Sequence, residues 1–387
     1  MWKNNKFQLK IWIYSLIAKA IYLTIRVLNK GNGYTWPGHF ILKIQKNVLK
    51  DLSQVYPKGI ILISGTNGKT TTSKVLSHIF DYLNVPVSTN KSGANLENGL
   101  VSGILLDTDM LGMTRKEYGV FEVDEFVLPK LLEHVSPTAL LLLNLSRDQL
   151  DRYGETDIIF DKWKSAIAKL DASCFLVLDC EQKEFYDLHS VFKGRVFYFD
   201  ADPALAKLTH LNGTFNAKNV NAACLTMSVL GYDHELVTKS LENFSVAYGR
   251  GELIEKNNTT YQLFLAKNPA SFNHNLQMLS ENTIDAKNLL FVLNDNIPDG
   301  RDVSWIYDVN PDLLKKVCNG KEVFVSGTRA LDMAVRLMYA GVTVLQENVY
   351  ADLNQALNAK TDGLVVILPN YSAMLEVRKF LIGRNIL

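Results

Sequence analysis

One strand–loop–helix segment constrains this chain more than any other feature. An apolar run, Ile60-Ile61-Leu62-Ile63, leads into Gly65-Thr66-Asn67-Gly68-Lys69-Thr70-Thr71, and a helical pattern follows from Thr70 to Tyr82. A strand that ends in a glycine loop and opens a helix turns successive backbone N–H groups toward a triphosphate, and the helix dipole adds partial positive charge there. Lys69 is placed to neutralise the outer phosphate oxygens, and the Thr70 hydroxyl to ligate Mg²⁺. The spacing is a variant, because the usual phosphate loop has its first glycine where Ile63 stands. A chance glycine turn is the plain alternative, and the strand and helix on either side argue against it. The same unit predicts an α/β domain with a parallel sheet.

The rest of the chain extends that unit. Further buried strands are expected at residues 119–122, 139–143, 175–178 and 196–199, with helices at 127–134 and 158–169. An Asn- and Ala-rich helix over 216–230 closes the series. Gly249-Arg250-Gly251 reads as a hinge. Beyond it a second βα series is expected, with strands at 261–265, 289–293, 322–325, 343–345 and 364–367 and a helix at 330–339. A chain of 387 residues is too long for one ordinary core. The patterns divide it into a lead-in (1–50), a central domain (51–248) and a smaller, doubly wound C-terminal domain (249–387).

Composition narrows the function. With 47% hydrophobic and 21% charged residues the chain is globular, and its net charge of +1 gives no electrostatic reason to expect nucleic acid as a partner. Cys174, Cys180, Cys224 and Cys318 form no C-x-x-C pair, which argues against a zinc ribbon or a dithiol redox motif. Nothing about them requires disulfides, which suits the cytoplasm. Residues 7–28 are rich in aromatic and aliphatic side chains but carry Lys10, Lys19 and Arg26. Their longest uncharged run, Ile11 to Ala18, falls far short of the roughly 20 apolar residues that a spanning helix needs. Lys19 also interrupts what would be the core of a secretory signal. Ile11, Tyr14, Ala18, Tyr22 and Ile25 share one side of a helical wheel, which predicts an amphipathic helix docked on the protein. Contact with the inner face of a membrane is the sharper reading of the same segment.

Two polar segments follow expected strands. Glu122-Val123-Asp124-Glu125 puts carboxylates at a strand end, over the crevice where ligands bind in such sheets. Glu122 is therefore a candidate Mg²⁺ ligand, with Asp124 or Glu125 close behind; a solvated acidic loop is the equal alternative. The stretch from Asn144 to Glu155, NLSRDQLDRYGE, sets Arg, Asp and Gln at another strand end, with a solvated helix start as its alternative.

The loop GTNGKTT resembles that of Mur ligases and folylpolyglutamate synthases, and the remaining motifs resemble one branch of that superfamily, the MurT subunits of lipid II isoglutaminyl synthases. NLSRDQLDRYGE is similar to the branch pattern N-x-x-R-D-Q-x-D-R-x-G-E. KNPASFN at 267–273 resembles its KNPAG segment, and NDNIPDGRDVSWIYD at 294–308 its N-D-N-x-x-D-G-x-D-x-S-W-I-x-D signature. SGTRALDMAVRL and LPNYSAM match further C-terminal segments. The matches run in order from about residue 10 to about residue 375.

The resemblance implies a Mur-ligase-like α/β fold, with a central phosphate-loop ATPase domain on a parallel sheet and a smaller Rossmann-like C-terminal domain. It also implies an activity. In that branch ATP phosphorylates the α-carboxylate of D-glutamate in the lipid II stem peptide, and ammonia attacks the acyl phosphate to give D-isoglutamine for peptidoglycan. The ammonia is released from glutamine by a separate subunit, GatD, in a heterodimer. This sequence shows no Cys/His nucleophile pair in an amidotransferase pattern, which agrees with nitrogen arriving from another chain.

Residue roles follow by position. Lys69 and Thr70 are implied to hold phosphates and Mg²⁺, with Gly65, Thr66, Asn67, Gly68 and Thr71 around them and Glu122 sharing the metal. Asn216 and Asn219 match a G-x-x-N-x-x-N that contacts adenine; a helix N-cap at Asn216 with Asn219 exposed is the alternative. Arg250 matches an arginine that reaches the ATP phosphates, where positive charge stabilises phosphoryl transfer. Lys267 joins the nucleotide-binding set. Asp302, and after it Asp308, is implied to orient the partner's Cys–His pair. Bracing of the loop before Trp305 is their alternative, and a turn role is the better reading for Asp299.

Some positions depart from the branch. Its four-cysteine zinc ribbon has no counterpart in residues 181–212, so a metal-free variant with no zinc is implied. Ser271 replaces a glycine, and Val309-Asn310-Pro311 an acidic-aromatic continuation. Two other functions compete: a stand-alone amino-acid ligase, and a non-catalytic regulatory subunit of an amidotransferase. The Arg-Asp-Gln stretch and the DGRD signature count against the first, and the intact Lys69, Thr70 and Glu122 against the second.

Overall fold

The structure, a computed structural model, describes residues 5–28, 33–90, 94–109, 111–146, 156–209, 211, 213–244, 249–281, 284, 286–359 and 363–383. The chain forms two compact units, each built on a six-stranded sheet.

The first sheet holds β1 (Ile60–Ser64), β2 (Val87–Thr89), β3 (Tyr118–Val123), β4 (Ala139–Leu142), β5 (Phe175–Asp179) and β6 (Arg195–Phe199). Their order is β2-β3-β1-β4-β5-β6, and every pair is parallel. Every residue of β1, β3 and β4 is buried. A sheet covered on both faces needs apolar residues at consecutive positions, which is why these strands read as near-continuous apolar runs, with Glu122 near the end of β3 a polar exception. β2 escaped the sequence reading because Val-Ser-Thr has no such run; it becomes a strand by pairing with β3, Val87 against Tyr118. The helix expected over 127–134 is confined to Leu128–Leu132.

Successive connections carry the chain to β3 on one side of β1 and then to β4 on the other. The order reverses at β1, so the C-terminal ends of β3, β1 and β4 flank a topological switch point, where open α/β sheets bind ligands.

Two N-terminal helices, α1 (Asn5–Val27) and α2 (Trp36–Ile44), pack with the helix Glu97–Asp107 in this unit. Ile11 and Ala18 of the expected stripe are buried, with Tyr14, Tyr22 and Ile25 half-buried beside them. Lys19, which breaks the apolar pattern, donates from Nζ to the carbonyls of Thr108 and Asp109 (2.8 Å for the latter). A cation at the end of the helix Glu97–Asp107 meets the negative pole of its dipole. Among the described residues no helix is long and apolar enough to cross a membrane.

The second sheet holds β7 (Arg250–Lys256), β8 (Thr259–Phe264), β9 (Asn288–Val292), β10 (Glu322–Ser326), β11 (Val349–Tyr350) and β12 (Leu364–Pro369). The order is β11-β10-β9-β12-β8-β7, parallel except for the β7–β8 hairpin. The strand expected at 343–345 is not one. Val342 and Val344 pack on the core from a loop, and the edge strand is Val349–Tyr350. Burial produced that apolar run without a ladder. The expected hinge at 249–251 leads into the second sheet. Arg250 and Gly251 open β7 at a bulge, Gly251 has φ +83, and Glu252 grips Arg378 at 2.8 and 2.9 Å.

Candidate active site

The glycine loop after β1 is fixed by its backbone and by two asparagines. Gly65 (φ +138) and Gly68 (φ +91) lie where side chains are strained. A Cβ on Gly65 would come within 2.8 Å of the Asn144 carbonyl oxygen, and one on Gly68 within 2.2 Å of Asn219 Oδ1. Asn144, just past β4, closes the loop from the other side. Its carbonyl accepts from Thr66 N (3.0 Å), its Oδ1 from Asn67 N (2.9 Å), and its Nδ2 donates to the Asn67 carbonyl (2.9 Å). The first residue of NLSRDQLDRYGE thus braces the loop, while residues 147–155 of that stretch lie outside the described residues.

Behind the loop the helix Lys69–Tyr82 begins. Lys69 is 8% exposed and folds back on its own loop, donating to the carbonyls of Gly65 and Thr66 and pairing with Glu125 Oε2 at 3.1 Å. Thr70 Oγ1 donates to Glu122 Oε2 at 2.8 Å. Of the three acids at the end of β3, Glu122 therefore meets the threonine and Glu125 the lysine. Glu122 is positioned by Asn90, whose side chain accepts from Glu122 N and donates to its carbonyl, both at 2.8 Å. Sequence reasoning passed over Asn90, because its role exists only once β2 lies beside β3.

The donor set fits the implied metal. One hydroxyl and one carboxylate converge, and Mg²⁺ is commonly held by one or two such protein oxygens, the rest coming from water and phosphate. The loop fits a phosphate for a separate reason, since its glycines leave the backbone bare at a helix N-terminus.

Asn216 and Asn219 fall on the helix Thr214–Val229. The helix starts before Asn216, and Asn219 is only 2% exposed, so the N-cap alternative does not hold. Asn219 lies directly under Gly68, and its buried Nδ2 has no hydrogen-bond partner among the described residues. Between them Lys218 pairs with Asp179 (3.1 Å) at the end of β5 and with Glu181 (2.6 Å). Burial pushes the Asp179 carboxyl up, and the adjacent ammonium offsets part of that effect.

The second unit carries the other candidates. Arg250 is the first residue of β7 and is partly buried. Lys267 precedes a turn in which Asn268 Oδ1 accepts from Ser271 N (2.8 Å) and Ser271 Oγ from Lys267 N (3.1 Å). Ser271, a departure from the resembling pattern, thus has a turn-closing role. The segments 294–308 and 368–374, matched separately in the sequence, form one cluster. Asn294 N donates to Asn370 Oδ1 (3.1 Å), Asn296 Nδ2 to Ser372 Oγ (2.9 Å), and Ser372 to Asp299 from both its backbone N (2.9 Å) and its hydroxyl. Asp299 is 7% exposed, and burial raises its carboxyl against those bonds. Asp302 and Asp308 are exposed. The Ser304 N–H, 2.8 Å from Asp302 Oδ1, holds that carboxyl below its usual range.

Replacing Gly68 by alanine tests the cradle. The new Cβ meets Asn219, and the positive φ costs roughly 1–2 kcal/mol. Nucleotide affinity, read by calorimetry with Mg²⁺ present, is expected to fall about tenfold or more, by the 1.4 kcal/mol per decade that links energy to affinity. Unchanged affinity removes this loop from the binding site.

Comparison with known proteins agrees along the chain. The Mur ligase middle domain model matches residues 63–204, and the MurT ligase C-terminal model matches residues 265–374. The lipid II isoglutaminyl synthase (glutamine-hydrolyzing) subunit MurT of Staphylococcus aureus strain N315 is 28% identical, covering 94% of this chain and 96% of its own. That of Streptococcus pneumoniae is 26% identical over 92% and 94%. Among solved structures, MurF from Acinetobacter baumannii superposes with a TM-score of 0.64 at 16% identity, covering 91% of this chain and 80% of its own. A folylpolyglutamate synthase of Mycobacterium tuberculosis, complexed with ADP and AMPPCP, gives 0.62 at 14% identity over 95% and 99%. Two family models in chain order, relatives aligned over nearly the whole length and a shared fold place this chain in the Mur ligase superfamily, in its MurT branch.

Proposed function

We propose that this chain is the ATP-consuming subunit of a glutamine-dependent amidating ligase, acting on the α-carboxylate of D-glutamate in the lipid II stem peptide. The observation that carries the reading is the meeting of Lys69, Thr70 and Glu122 around a glycine cradle at the switch point of the first sheet. The relatives' names supply the substrate and the nitrogen source.

The Gly65–Thr71 backbone and Lys69 would hold the triphosphate, and Thr70 with Glu122 a Mg²⁺ ion. Bound together, these supply an electrophilic phosphoryl group. Lys69 exchanges its loop carbonyls for phosphate oxygens while Glu125 keeps the ammonium aimed at the cradle. Asn216 and Asn219 would flank the nucleotide, and Arg250 and Lys267 keep the nucleotide-binding roles that the motif match implies. The carboxylate oxygen attacks phosphorus, ADP leaves, and the acyl phosphate yields to ammonia with release of phosphate.

A second subunit of the GatD type is needed for the ammonia. Burial pushes the thiols of Cys174, Cys224 and Cys318 up to about 12, and Cys180 is also raised, so none of the four is poised as the thiolate that glutamine hydrolysis needs. The helix Ala330–Tyr339 supports the docking of a partner. It presents Leu331, Val335, Met338 and Tyr339 outward, while its Arg336 donates to the carbonyls of Ile306 (2.8 Å) and Val309. That clamp packs residues 306–309, which include the exposed Asp308, against this helix. Asp302→Asn is expected to lower glutamine-driven amidation by up to about 10⁴-fold, as replacing a triad aspartate by asparagine does, and to spare ammonia-driven amidation. If glutamine still works as well as before, the role passes to Asp308.

The reading as a whole is tested by incubating the chain with lipid II, ATP, Mg²⁺ and either ammonia or glutamine plus the partner. Mass spectrometry should find a carboxyl turned to an amide in both cases. Unaltered lipid II with ammonia overturns the ligase role.

A further inference from the structure

Helix α1 is apolar on two opposite faces. Ile11 and Ala18 are buried against the first unit. On the other side Leu9, Ile13, Leu16, Ala20, Leu23 and Val27 succeed one another at three- and four-residue steps. Leu9, Ile13, Leu23 and Val27 are 55%, 41%, 59% and 83% exposed. α2, which packs on α1, adds exposed Trp36, Phe40 and Ile44. A surface helix ordinarily sets polar residues on its outer face, and a run of exposed apolar side chains marks a contact.

The charge says what the contact is with. Residues 1–50 hold nine of the Lys and Arg residues and no Asp or Glu, whereas residues 51–387 carry a net charge of −8. Lys10 and Arg26, both exposed, fall on opposite flanks of the outward stripe by helical spacing. Lys43, Lys46 and Lys50 are exposed on and after α2. A second copy docking through the same face would set cations against cations.

We propose that this face lies in the plane of an anionic lipid bilayer, with the apolar stripe among the headgroups and the lysines against lipid phosphates. Trp36 and Phe40 suit that depth, since aromatic rings concentrate at membrane interfaces. The inference rests on the reading above only for its purpose, which is to bring the phosphate loop to a lipid-linked substrate.

Flotation of the purified full chain decides it, with vesicles of phosphatidylcholine and phosphatidylglycerol in equal parts against phosphatidylcholine alone. The chain is expected to float with the anionic vesicles only, and less so in high salt. The triple variant Leu9→Gln, Leu23→Gln, Val27→Gln, all exposed positions, should bind about tenfold more weakly or worse. Its nucleotide affinity should equal that of the wild type, which separates this test from the ligase reading. Absence of flotation, equal flotation with neutral vesicles, or full binding by the triple variant overturns the proposal. So does a wild-type dimer that the triple variant breaks without any vesicle binding.

Discussion

Lys69→Ala is expected to abolish ATP-dependent amidation, with a loss on the order of a thousandfold or more, while the partner's glutaminase remains measurable. Among the described residues the ammonium is the side-chain cation hydrogen-bonded to the glycine cradle, and it sits 3.1 Å from Glu125 in a site where the two residues are 8% and 2% exposed. Low exposure makes the charge effective on a phosphate, and it also makes the pair costly to break. Removing one partner of a buried ion pair costs roughly 3–5 kcal/mol, because the other charge is left uncompensated. The single variant should therefore melt at a lower temperature as well as lose activity. Lys69→Met combined with Glu125→Gln removes both charges and should recover most of the stability and none of the amidation. Calorimetric melting and an amide assay separate the two effects. A stable double variant that still amidates would show that Lys69 serves the fold and not the phosphate.

Glu122→Gln is expected to lower amidation on the order of a hundredfold or more at saturating ATP, since the proposed metal ligand is lost where charge would be stabilised. The substitution is chosen to leave the fold alone. A glutamine Oε1 can still accept from Thr70 Oγ1, now 2.8 Å from the carboxylate, and Asn90 holds residue 122 through the backbone. Raising Mg²⁺ should recover part of the rate if the defect is weak metal binding. A variant with wild-type rate and wild-type Mg²⁺ dependence moves the metal to other oxygens.

Both expectations start from residues that were legible in the sequence, because their chemistry is local. The Gly65–Thr71 loop announces itself by glycines between an apolar run and a helix, and the acids at the end of β3 by the apolar strand that leads to them. The motif match implied that Glu122 goes with Thr70, but that Glu125 goes with Lys69 was not legible. Glu122 and Glu125 are three residues apart, and their division between Thr70 and Lys69 depends on how β3 registers beside β1, Ile63 against Glu122. Asn90 and Asn144 went unread as braces for the same reason, since each acts across a strand pairing.

Strand reading shows the same physics. Runs covered on both faces, such as β1 and β4, stand out as apolar, but the edge strands β2 and β7 do not. β7 alternates partly exposed polar residues, and its only local sign is the turn at Asn257 and Asn258, both with positive φ (51° and 63°). The reverse error at 343–345 came from apolar residues that pack on a core without joining a ladder. On α1, periodicity found the inner stripe; the outer one became meaningful only when burial showed which side faces the protein.

The central claim is chemical, namely that the acid is activated by phosphorylation on its own oxygen. Lipid II carrying ¹⁸O in the α-carboxylate of its D-glutamate, incubated with the chain, ATP, Mg²⁺ and ammonia, tests it directly. The account predicts one labelled oxygen in inorganic phosphate for every amide formed. Amide formation with the label in AMP, or with none in phosphate, contradicts it.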